Sequence, residues 1–140
     1  MDNKAVVSKL VADIVDKSKQ GKLLWQLNST KDGFVTFVDD LSIEIRQPDK
    51  TALTIVHDIT TIKNTVMYEP RPYEYRILIS NLKSGAFILE LGESFFSKED
   101  HTKYKLPTSI FEHIFFYAKE QLENSRARDA SQIIEKLNKL

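Results

Sequence analysis

The stretch YEYRILISNLKSGAFILELG, residues 73–92, decides the fold of this chain. Tyr73, Tyr75, Ile77 and Ile79 alternate with Glu74, Arg76 and Ser80, the period of two that marks a strand with one face in a core. Asn81 to Gly85 carries the Asn, Ser and Gly of a turn, and Phe87, Leu89 and Leu91 resume the alternation up to Gly92. Two such runs joined by a short turn predict an antiparallel pair of strands.

Upstream, a second period-two region opens at Gly33 and places Val35, Phe37, Leu41, Ile43 and Ile45 on one face, with Thr36, Ser42, Glu44 and Arg46 between them. Asp39-Asp40 interrupts this run, either as a hairpin turn or as an irregularity in one long bulged strand. Gln47-Pro48-Asp49-Lys50 reads as a turn, Thr51 to His57 as a further strand rich in β-branched residues, and Asp58 to Pro72 shows no regular pattern. The chain begins with an amphipathic helix from Asn3 to Gln20, whose Val7, Leu10, Val11, Ile14 and Ser18 share one face. Asn3 suits its N-cap, and Gly21 stands where a left-handed residue is wanted after its last turn. Trp25 sits in a short apolar link and is expected to plug the junction of helix and sheet.

Downstream of Gly92, a polar loop through Ser97, Lys98, Glu99, Asp100 and His101 leads to Leu106-Pro107-Thr108, where a helix is expected to start. Phe111, Ile114, Phe115, Ala118 and Leu122 form one stripe on it. A polar neck from Glu123 to Asp129 follows, then a second stripe of Ile133, Ile134, Leu137 and Leu140. The fold expected is α+β in one domain over residues 1–140: an N-terminal helix, an antiparallel sheet of about five strands and a long C-terminal helix, with the helices on one face of the sheet. Val7, Leu10, Val11, Ile14, Trp25, Ile43, Ile45, Ile77, Ile79, Phe87, Leu89, Phe111 and Phe115 are expected to form the core. As one helix, residues 107–140 would reach about 51 Å, against a diameter of roughly 37 Å for a compact chain of this size. The second stripe must then fold back or meet another chain.

Composition narrows the chemistry. The 140 residues carry 20 basic and 20 acidic side chains, eight of each over residues 1–50, five against seven over 51–100 and seven against five over 101–140, so binding driven by phosphate contacts is disfavoured and nucleic acid is an unlikely partner. There is no cysteine, hence no thiolate nucleophile, disulfide or thiolate metal site. No run has the length and apolarity of a signal core or a membrane span, which points to a cytoplasmic protein without membrane contact. Lysine outnumbers arginine threefold, a habit of AT-rich bacterial or phage genomes.

Candidate functional residues are few. His57-Asp58 pairs an imidazole with a carboxylate, yet adjacent strand residues point to opposite faces. His101 and His113 stand at no ligand spacing, and neither Ser29, Ser84 nor Ser94 sits in a nucleophile elbow. Four glycines form no phosphate-cradling loop, and with no cysteine and no histidine at ligand spacing neither a metal nor a cofactor is expected. Phe95-Phe96 and Phe115-Phe116-Tyr117 read as core more readily than as the lining of a ligand pocket. The most suggestive cluster is Tyr68, Glu69, Arg71, Tyr73, Tyr75 and Arg76, with Tyr68, Arg71, Tyr73 and Arg76 as binding candidates. The leading expectation is a non-enzymatic accessory or adaptor protein, working by protein contact through Ile133, Ile134, Leu137 and Leu140, with a homodimer as the simplest form. The alternative is a small-molecule or nucleotide-derivative binder using the Tyr68 to Arg76 patch. A hydrolase built on His57 and Asp58 is the third reading.

Overall fold

The computed structural model describes residues 3–49 and 73–140. The expected strand from Thr51 to His57, the His57-Asp58 pair, and Tyr68, Glu69 and Arg71 lie outside them.

Helix α1 (Asn3–Lys19) is followed by β1 (Gln26–Leu27), β2 (Gly33–Val38), β3 (Leu41–Arg46), β4 (Arg76–Asn81) and β5 (Phe87–Gly92); a 3-10 turn (Glu93–Phe95) then leads to helices α2 (Lys98–Lys103) and α3 (Ile110–Asn138). The five described strands form one antiparallel sheet in the order β1-β2-β3-β4-β5. Both long helices cover one face. This is the α+β architecture expected, and Gln26 and Leu27, just after Trp25, add a short strand to it by pairing with Val35 and Phe34.

Helix α1 ends as its sequence directs. Gly21 takes φ +73°, Gly21 N–H donates to the Ser18 carbonyl and Lys22 N–H to the Lys17 carbonyl, the double closure of a glycine-terminated helix. The chain then turns through Trp25, which is buried, donates its indole N–H to the Ser18 hydroxyl at 3.1 Å, and is held from the far side by α3. There the Gln121 amide accepts from Trp25 N–H at 2.7 Å and donates to the Leu23 carbonyl at 2.9 Å. One side chain of α3 thus clamps the link between α1 and the sheet.

Two strand phases differ from the sequence reading. Asp39 and Asp40 make a two-residue hairpin turn, with Asp39 at φ +52°, and Val38 pairs with Leu41. That turn sets odd positions of β2 against even positions of β3. Phe34 and Thr36 therefore share the core face with Ile43 and Ile45, while Val35 and Phe37 go to the other side, which corrects their expected place beside Ile43. The Thr36 hydroxyl stays satisfied in the core by donating to the Leu24 carbonyl at 2.9 Å. In β5, Ile79 pairs with Leu89 but Ser80 pairs with Phe87, so Ile88 is an extra residue. The bulge reverses the alternation beyond it. Phe87, expected in the core, is 70% exposed on the outer face.

The segment expected as a polar loop contains α2, started by a capping box in which the Ser97 hydroxyl accepts from Asp100 N–H and the Asp100 carboxylate accepts from Ser97 N–H. Asp100 also binds Lys4 at 2.6 Å and so ties α2 to the start of α1. Helix α3 begins at Ile110, a few residues after the expected Pro107. The core joins Val11, Ile14, Trp25, Phe34, Ile43, Ile45, Ile77, Ile79 and Leu91 to Phe96, Ile110, Phe111, Ile114, Phe115 and Ala118, with Val7, Leu10 and Leu89 at its margin. Phe96 meets Phe111 edge to face at 6.2 Å, the packing role read for it. No helix among the described residues is long and apolar enough to cross a membrane.

Candidate functional site

Helix α3 is two structures in one. Up to Leu122 it packs on α1, β1, β2 and β3, burying Ile110, Phe111, Ile114, Phe115 and Ala118. From Arg126 onward every residue is exposed. The helix does not break at the polar neck, so this part runs on for about 20 Å at 1.5 Å per residue. Ile133 and Ile134 are each 56% exposed and Leu137 is 60% exposed. At roughly 100° per residue, Ile133, Leu137 and Leu140 lie on the same side of the helix as Phe115, Lys119, Leu122 and Arg126. The apolar stripe is therefore a continuation of a face that meets the body.

Where that face meets the body there is a cleft of about 270 Å3, between the β1-β2 hairpin and α3, lined by Leu27, Lys31, Phe34, Phe115, Leu122 and Arg126 among others. Its hairpin wall is held together by named contacts. Asn28 is buried; its amide nitrogen donates to Asp32 and to Glu44, each at 2.7 Å, and its amide oxygen accepts from Gly33 N–H at 3.2 Å. Gly33 crosses so close to β3 that a Cβ there would lie 2.0 Å from the Ile45 carbonyl oxygen, so no other residue fits. Burial alone would raise the Asp32 carboxyl, but hydrogen bonds from Thr30 and Asn28 and the charge of Arg46 hold it below its ordinary range.

The tyrosine and arginine cluster is split by the pleat. Tyr75 leans on Phe115, with ring centroids 5.4 Å apart, on the helix side of the sheet, and burial, Glu112 and Glu93 raise its hydroxyl. Tyr73 is half-buried. Arg76 points to the opposite face, where it pairs with Glu90 at 3.5 Å and shares a cleft of about 340 Å3 with Arg46, Asp32 and Asp49. Between the tyrosines, Glu74 is buried and accepts from both the N–H and the hydroxyl of Ser94, at 2.9 and 2.8 Å. Burial, Glu74 and Glu112 raise the carboxyl of Glu93.

No protein-family model, no curated protein and no solved structure matches this chain. Its function has to be read from its own surfaces.

His101 places Nδ1 3.1 Å from the Leu106 carbonyl, as an N–H donor closing the end of α2, and His113 is exposed on α3. Among the described residues no group of three or more His, Asp or Glu is placed to hold a metal ion. The sequence reading missed a second apolar surface. On the outer face, Phe37, Ser42, Ser80 and Phe87 lie in one cross-strand row, with Ile88 beside them, and Phe37 is 49% exposed. The reversed phases of β2 and β5 create this row, and no period in the sequence announces it.

Proposed function

We propose that this chain is a non-enzymatic accessory or adaptor protein that works by protein contact, through the face of α3 that carries Ile133, Ile134, Leu137 and Leu140. The observation that carries the reading is the exposed stripe on a helix that has already left the body. Each of these side chains would gain about 1–2 kcal/mol on burial, and ordinary surface residues do not align such losses along one helix face. An amphipathic helix offering anchors at i, i+1 and i+4 is a common recognition element. The stripe is modest in size. Four side chains give several kcal/mol, against roughly 4–15 kcal/mol for the lost freedom of two associating bodies, so the contact needs further surface to be tight.

The alternative of a small ligand at the patch around Arg76 is less well supported. Arg46 is engaged by Glu44 and Arg76 by Glu90, and Asp32 and Asp49 line the same cleft, so the described residues leave it without the excess positive charge that would draw a phosphate or nucleotide.

Affinity capture tests the reading, using the intact chain beside an Ile133→Ser, Leu137→Ser variant with the same melting temperature. A protein held by the first and lost by the second is expected. Identical captured sets would overturn the assignment to this face.

A further inference from the structure

The exposed stripe and the cleft belong to one face of α3, and the exposed part is self-complementary when run antiparallel. Arg126, Ala130, Ile133, Leu137 and Leu140 follow alternating spacings of four and three, the seam of a two-helix coiled coil, with Ile134 on one flank and Asp129 and Lys136 on the other. The direction of pairing follows from those charges. In a parallel pair the flank of Asp129 and Lys136 meets the flank of Ala127 and Ile134, and no charge finds its opposite. In an antiparallel pair each flank meets its own kind. If Ala130 stands opposite Ile133, Asp129 faces Lys136 twice by symmetry. A shift of one heptad in either direction sets Lys136 against Lys136 or Asp129 against Asp129. A single antiparallel register therefore pairs opposite charges.

That register also recruits the additional surface that tight association requires. It overlaps residues 123–140 of each chain, sets Leu137 against the aliphatic stem of Arg126, and brings Leu140 of the second copy, just past the helix end, level with Glu123 at the mouth of the cleft floored by Leu27, Phe34 and Leu122. The register shifted by one heptad toward the helix end sets Leu140 level with Ala130 and leaves the cleft open. The two folded bodies lie at opposite ends of an antiparallel pair.

We infer that α3 pairs with α3 of a second copy of this chain, antiparallel, with Ala130 opposite Ile133 and with Leu140 of the second copy seated at the cleft. The inference rests on the contact role of this face and names its occupant.

Sedimentation equilibrium on the full chain tests it, since Asp129 and Lys136 are exposed, where substitutions change stability little. Asp129→Lys and Lys136→Asp are each expected to weaken the dimer about tenfold, and the double exchange to restore it to within about threefold. Single changes without effect, or a double exchange that fails to restore, would overturn the register. Because the chain has no cysteine, engineered thiols add an independent readout. Under mild oxidation Arg126→Cys with Leu137→Cys should cross-link between copies, whereas Leu137→Cys alone should not; cross-linking of Leu137→Cys alone would show a parallel pair. An intact chain that stays monomeric at tens of micromolar overturns self-pairing, while the capture experiment with the Ile133 and Leu137 variant still tests protein contact.

Discussion

Asp100 shows how much of this fold hangs on single polar side chains. It caps α2 and holds Lys4 of α1, and these bonds lower its carboxyl from 3.8 to about 2, the Lys4 hydrogen bond first among them. A carboxyl lowered by folding contributes stability that is complete above its unfolded value and is lost as pH falls toward the folded one. The wild-type chain should therefore lose melting temperature relative to Asp100→Asn between about pH 5 and pH 2, and thermal melts across that range check it. A constant difference would mean that ionisation of Asp100 contributes nothing to stability. The raised carboxyl of Glu93 has the opposite sign, its contribution being lost as pH rises, so the comparison is made against the variant and not on absolute stability. The signal for α2 was already present in Ser97 and Asp100 at capping-box spacing, but six residues are too few to show a helical period.

Among the elements, burial separates positions that period-two reading treats alike. Ile79 is 5% exposed and faces the helices, so Ile79→Ala is expected to cost about 2–5 kcal/mol; Phe87, beyond the bulge and 70% exposed, should cost under about 1 kcal/mol when replaced by Ala. Urea unfolding of both variants checks the pair, and similar losses at the two positions would contradict the bulge. The elements legible in the sequence were those where one pattern ran unbroken: α1 with its glycine end, β3, β4, and both stripes of α3. The phase of β2 was not legible, because a two-residue turn and a bulged strand give the same apolar pattern and opposite faces. The cleft was hidden for another reason. It is made by residues 27–34 meeting residues 115–126, and no local pattern encodes that meeting.

At the scale of the whole molecule, the chain divides into a packed body and a helix that outruns it. Length alone suggested the overhang, and the unbroken α3, exposed from Arg126 onward, removes the possibility that the last turns fold back on the sheet. An isolated helix of so few turns is marginal in water, so its continuity depends on the packed first half and its apolar stripe favours a partner. Light scattering at tens of micromolar on the intact chain, beside a version ending at Arg128, tests this most directly. The account expects a dimer for the first and a folded monomer with nearly the same melting temperature for the second. A strictly monomeric intact chain would contradict self-pairing, and a shortened version that no longer folds would contradict the division into body and contact helix.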